Sequence, residues 1–151
     1  MPLLDDKTRG DVQEMLAEIA GPARLIVFTQ EFECDYCKET REISEEIAAL
    51  SDQITLDIYD SQADADRAEQ YHVDKIPAIV LLGAGDTDYG VRYYGIPSGY
   101  EFSSLLHDIL AVAAGPEAAQ LSDDARAFVE SLEEPVHLQV FVTPTSPYSP
   151  R

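Results

Sequence analysis

The stretch Leu25-Ile26-Val27-Phe28, followed shortly by Glu33-Cys34-Asp35-Tyr36-Cys37-Lys38, decides how this chain is read. A short apolar run that gives way to C-x-x-C and then to a helical pattern is a strand, a turn and a helix, with two sulfurs at the junction. Chemistry wants them there. A helix N-terminus presents unpaired N–H groups and a partial positive charge, and both lower the first thiol's pKa towards neutrality. The spacing lets the second sulfur reach back across one helical turn to resolve a mixed disulfide. Half of a zinc site and a pair of buried core cysteines are the two other readings. Zinc wants about four N or S ligands, whereas His72, His107 and His137 are isolated and no second cysteine pair exists. A redox dithiol is the leading reading, with no metal and no cofactor beyond the Cys34–Cys37 disulfide itself.

Outward from the cysteines the pattern alternates. Val12, Met15, Leu16 and Ile19 form a helical stripe that Gly21-Pro22 ends. After the cysteines, Lys38 to Leu50 carries Ile43, Ile47 and Leu50 on one helical face, and Ile54, Leu56 and Ile58 alternate with polar residues as a half-buried strand does. Ala63 to His72 reads as a short helix. Ala78-Ile79-Val80-Leu81-Leu82 reads as a buried strand, and Val91 to Tyr94 as its hairpin partner across Gly83, Gly85 and Asp86. Phe102, Leu105, Leu106, Ile109, Leu110 and Ala113 stripe a closing helix before Gly115-Pro116. The predicted class is α/β, a mixed sheet with helices on both faces.

An internal repeat then begins and stops. Val12 and Ala125, Met15 and Phe128, Ile19 and Leu132, Pro22 and Pro135, and Phe28 and Phe141 are all 113 residues apart. Cys34 and Cys37 find Ser146 and Ser149 at an offset of 112. Residues 1–115 therefore read as a complete unit, and 116–151 as the first helix (Ser122 to Glu133) and strand (Val136 to Val142) of a truncated second one. Ser146-Pro147-Tyr148-Ser149 replaces both sulfurs by oxygen, which forms no disulfide, so that second site is expected to be inert. The β-rich run Val136 to Val142 is an aggregation hazard if unpaired. It is expected to pair with a sheet edge, either of its own first unit or of a neighbouring chain in a symmetric dimer.

Composition sets the boundaries. Hydrophobic residues make up 45% and charged residues 26% of 151, enough apolar content for a core in one domain. The net charge of −19 argues against nucleic acid and against anionic membrane surfaces. With neither a basic n-region nor an apolar run in Met1-Pro2-Leu3-Leu4-Asp5-Asp6, no signal peptide is expected and the cytoplasm is the default compartment. The acid-rich, lysine-poor balance suits a salt-rich cytoplasm and equally suits an ordinary solvated surface.

Ile76-Pro77 stands 39 residues after Cys37, immediately before the apolar strand, where a proline is ordinarily unwelcome. A cis bond at the strand's entry would resolve that. With C-x-x-C upstream, the sequence here resembles the thioredoxin superfamily. The repeat, the Pro147-Tyr148 of the second copy and the run Gly95-Ile96-Pro97-Ser98-Gly99-Tyr100-Glu101-Phe102 look more specifically like the tandem protein disulfide oxidoreductases, called glutaredoxin-like. The resemblance implies a thiol–disulfide oxidoreductase with Cys34 as attacking thiolate and Cys37 as resolving thiol. It implies that Ile76 offers its backbone to a substrate chain and that Pro77 shapes that surface beside Tyr36; independently of the resemblance, the negative charge of Asp35 between the sulfurs is expected to tune the thiolate. The partners it implies are protein disulfides and a reductase or dithiol electron donor. The chain departs from the pattern twice. Six residues before the first cysteine, where thioredoxins carry a buried carboxylate, it has Phe28, while Glu31 and Glu33 are expected to be exposed. Where glutaredoxins have threonine before the proline it has Ile76, with only Lys38 and Lys75 nearby, so glutathione use is not expected. Two rivals come from other classes: a non-catalytic redox-sensing or interaction module, and a C-x-x-C metal-binding domain.

Overall fold

A computed structural model describes residues 2–148. The chain runs α1 (Asp6–Ala17), β1 (Ala23–Thr29), α2 (Cys37–Ala48), β2 (Ile54–Asp60), α3 (Ala65–Gln70), β3 (Ala78–Leu82), β4 (Asp88–Tyr94), α4 (Tyr100–Ala114) and α5 (Asp123–Glu130). The four strands form one sheet in the order β2-β1-β3-β4. β1 is parallel to β2, with Leu25 opposite Leu56, and antiparallel to β3, with Val27 opposite Ile79. The predicted mixed sheet is the one that forms.

The two central strands are the ones with continuous apolar sequence, because both of their faces are covered. On one face Leu25, Val27, Ile79 and Leu81 meet Val12 and Leu16 of α1, Ile43 and Ile47 of α2, and Leu105 and Ile109 of α4. On the other, Ile26, Phe28, Ala78, Val80 and Leu82 meet Ala68 of α3, with Tyr59, Tyr71 and Val73 closing the rim. Each such side chain contributes about 1.5–3 kcal/mol relative to an exposed one. Local signals start the helices. The Asp5 carboxylate accepts from Thr8 N at 2.7 Å and caps α1, and this bond holds the Asp5 pKa below its ordinary value. Arg24 ties three elements, donating to Asp57 on β2 at 2.5 Å and to Asp86 in the hairpin turn at 2.7 Å. The Tyr93 hydroxyl donates to Asp108 at 2.6 Å and joins β4 to α4. Burial first, and that bond second, push its pKa upward.

Four expectations are corrected. β4 begins at Asp88 rather than Val91, since a short 3₁₀ turn at Ala84–Asp86 completes the reversal earlier. α2 begins at Cys37 rather than Lys38. α5 ends at Glu130, short of Glu133, and its expected packing stripe lies open, with Phe128, Val129 and Leu132 all exposed. Val136 to Val142 forms no strand and pairs with no edge of the chain's own sheet. β propensity alone does not make a strand, because a ladder needs a partner's N–H and C=O groups.

Candidate functional site

β1 delivers the chain to the loop 30–36 and then to α2, which begins at Cys37. Cys34 and Cys37 are joined as a disulfide with a Cα–Cα distance of 5.6 Å. The two sulfurs are not equivalent. Cys37 is 3% exposed, whereas Cys34 is partly open to solvent, with its Sγ 3.7 Å from the Asp35 carbonyl oxygen. Cys34 and Asp35 precede the helix, so the pair is not stacked across one helical turn as the spacing alone suggests. A left-handed residue, Tyr36 at φ 66°, makes the bend instead. Glu33 at φ 54° is also left-handed. Two non-glycine residues in that region cost on the order of 1–3 kcal/mol each and flank Cys34 on both sides. The Gln30 side chain steadies the loop by donating to the Phe32 carbonyl at 2.6 Å. Tyr36 makes no side-chain cap, so the first-turn N–H groups of α2 keep their field for the sulfurs.

The strand register brings the proline to the same place. Ala78 stands opposite Phe28 on the two central strands, so Ile76-Pro77 and the cysteine loop lie at the same end of the sheet. The Ile76–Pro77 bond is cis and Pro77 is buried. Its carbonyl accepts from Gly95 N at 2.9 Å, which ties the loop to the end of β4. Among the described residues, Ile76 takes part in no backbone hydrogen bond outside the helices and strands. Lys75 is occupied: it donates to both oxygens of Asp74 at 2.9 Å and lies 5.6 Å from the centre of the Tyr94 ring. Lys38, on the other side, faces Glu42 at 3.8 Å.

Beneath the site Phe28 is fully buried, 5.7 Å from the Tyr59 ring and 6.4 Å from that of Tyr71. Glu31, Glu33 and Asp35 are all exposed. No carboxylate reaches the buried side of Cys37 from those positions. A residue missed from the sequence does stand on that side: Thr40, one turn along α2, is fully buried and its Oγ1 has no hydrogen-bond partner among the described residues. Its signal in the sequence was the i, i+3 spacing from Cys37, which a polar residue in an acidic helix does not advertise.

The second motif is only partly described. Ser146 donates its N–H to the Thr143 carbonyl at 3.0 Å, and Ser149 lies outside the described residues. The same loop docks on the first unit, where Tyr100 N donates to the Pro144 carbonyl at 3.3 Å. Gly99, at φ 62°, is required there, because a Cβ would run into the Pro144 carbonyl. Among the described residues no group of three or more His, Cys, Asp or Glu side chains is placed to hold a metal, and no helix is long and apolar enough to cross a membrane.

No protein-family model matches the chain. It is 30% identical over 144 residues, 95% of its own length, to the alkyl hydroperoxide reductase AhpF of Staphylococcus epidermidis, of which it spans 25%. Among solved structures it is similar to a protein disulfide oxidoreductase from Aeropyrum pernix, at 26% identity and a TM-score of 0.85. That match covers 98% of this chain and 64% of the other. It is also similar to the N-terminal domain of the alkyl hydroperoxide reductase AhpF from Enterococcus faecalis, at 26% identity and a TM-score of 0.69. Here 80% of this chain and 57% of that one are covered.

Proposed function

The chain is a thioredoxin-superfamily protein with a thiol–disulfide exchange centre, and on that premise we propose the roles, substrates and partners that follow. Cys34, the open sulfur, attacks a substrate disulfide as the thiolate and expels the first substrate sulfur, leaving a mixed disulfide. Cys37 then attacks the Cys34 sulfur and expels the second. One protein dithiol becomes a disulfide, one substrate disulfide becomes two thiols, and an external reductase or dithiol restores the protein. The asymmetric burial of the two sulfurs carries this assignment, because the attacking group must be reachable and the resolving one shielded. Ile76 pairs with the substrate backbone, and Pro77 and Tyr36 shape the surface around it.

The substrates are protein disulfides rather than glutathione. The lysines beside the site are paired with carboxylates, and Glu31, Glu33 and Asp35 surround Cys34 with negative charge. Such a rim repels an anionic tripeptide and draws cationic segments. Residues 1–115 act as the complete unit, and 116–151 begin a second unit whose serines cannot exchange. The open stripe of α5 and the run 136–142 pair with a second copy of the chain. The experiment is turnover of a disulfide-containing protein with dithiothreitol as donor, expected for the wild type and lost in Cys34→Ser; equal turnover by that variant overturns the proposal.

The similarity to the alkyl hydroperoxide reductase AhpF favours a second reading, in which the chain relays electrons between a reductase and a peroxide-reducing partner. Oxidation of the reduced dithiol by a partner disulfide, but not by hydroperoxide alone, is its expected signature.

A further inference from the structure

We propose that Thr40 is the positioning residue for the resolving step, its hydroxyl donating to the Cys37 thiolate once the disulfide is opened. The inference rests on the exchange reading above and adds to it the group that holds the second thiolate. Three observations carry it. Cys37 is 3% exposed, so its thiolate is poorly hydrated, and desolvation alone raises a thiol's pKa. No carboxylate stands six residues before Cys34, where Phe28 packs between the Tyr59 and Tyr71 rings, and Glu31, Glu33 and Asp35 are exposed. Thr40 lies three residues after Cys37 on the same face of α2, has no exposed surface, and its Oγ1 has no partner in the disulfide form.

A buried hydroxyl without a partner destabilises the state that leaves it so, and a second state that satisfies it accounts for its presence. The structure contains one such state change at that spot. In the disulfide form the Cys37 sulfur is bonded to Cys34 and carries no charge. Reduction by the external reductase or dithiol opens that bond, and attack of the freed Cys34 thiolate on a substrate then leaves Cys37 as a free thiol one turn from Thr40. When Cys37 gives its proton to water, the Thr40 O–H donates to the sulfur and stabilises the anion; the thiolate then forms the bond to Cys34 as the Cys34–substrate S–S bond breaks, and the substrate sulfur leaves with the electron pair and takes up a proton from water. Thr40 itself neither gains nor loses a proton over the cycle.

Ser44 has no such role, because its hydroxyl already donates to the Thr40 carbonyl at 2.8 Å.

The test uses the reduced protein and 5,5′-dithiobis(2-nitrobenzoate), whose two coloured thiolates are released in sequence: the first by Cys34 attack, the second by Cys37. In Thr40→Val, which keeps the shape and removes the hydroxyl, the second release slows about tenfold at pH 7 and its pH midpoint moves up by about one unit. The first release is unchanged. Thr40→Ser restores the second release to within twofold. A second release in Thr40→Val within twofold of wild type at every pH overturns the inference, and so does equal slowing of both releases, which marks mere disturbance of the fold. Absence of any second release in the wild type overturns the exchange reading instead.

Discussion

Leu25-Ile26-Val27-Phe28 and Leu138-Gln139-Val140-Phe141 occupy equivalent places in the repeat, yet Phe28 is 0% exposed and Phe141 is 90% exposed. The helices before them differ in the same way: Val12 and Leu16 are buried, while Phe128 and Val129 lie open. Both helices have an oxygen cap, Asp5 for α1 and Ser122 for α5. Local signals therefore work equally in both copies. What differs is company. β1 has β2 and β3 on either side and helices on both faces, whereas 136–142 has none of these. A helix can begin on its own cap, but a strand exists only in a sheet.

The largest effects expected from this contrast are on stability. Leu25→Ala or Ile79→Ala removes a fully buried side chain and should cost about 2–5 kcal/mol in denaturant unfolding. The matching change Leu138→Ala should cost less than about 0.5 kcal/mol in a monomer. A core-like loss at Leu138 that grows with protein concentration would instead show the run buried between two copies. Deleting 136–151 should lower dimer content in sedimentation and leave exchange by Cys34 and Cys37 intact; an unchanged dimer moves the interface elsewhere.

Acid should loosen the first unit along the β3–β4 hairpin. The Asp88 carboxylate accepts from Arg92 at 2.7 and 2.9 Å, and this holds its pKa below the ordinary carboxylate value. A lowered folded-state pKa contributes stability that is fully present above the ordinary value, near 4, and is lost as pH falls through the lowered one. Melting temperature should therefore drop below about pH 4, and Asp88→Asn should flatten that drop. A slope unaltered by the substitution removes Asp88 from the account.

The smallest effect separates the two sides of the disulfide. Asp35 is exposed between the cysteines, and its charge disfavours the Cys34 thiolate and so the reduced form. Asp35→Asn should raise the reduction potential by on the order of 10–20 mV. No shift shows that water screens the charge completely, and a fall contradicts the assigned effect of Asp35.

Most of the first unit was legible in sequence because its signals are periodic and mutually consistent. β3 coincides with its apolar run Ala78–Leu82, and the bond at Ile76-Pro77 is cis, as expected for a proline at the entry of a buried strand. The two cysteines were found by spacing. Their unequal roles were expected from the helix N-terminus and the resemblance, but the bend between them was not, since the left-handed conformations of Glu33 and Tyr36 are ones that neither residue type favours. Thr40 was missed for a related reason: its meaning comes from what surrounds it, an absent carboxylate and a shielded sulfur. The expectation for the tail strand read propensity correctly and lacked the partner that propensity needs.

Trapping the mixed disulfide tests the central claim most directly. Reduced Cys37→Ser, mixed with a disulfide-containing protein, should accumulate a covalent adduct through Cys34, visible as a mass shift that dithiothreitol reverses, and reduced Cys34→Ser should accumulate none. An adduct formed by Cys34→Ser through Cys37, with none formed by Cys37→Ser, would contradict the account.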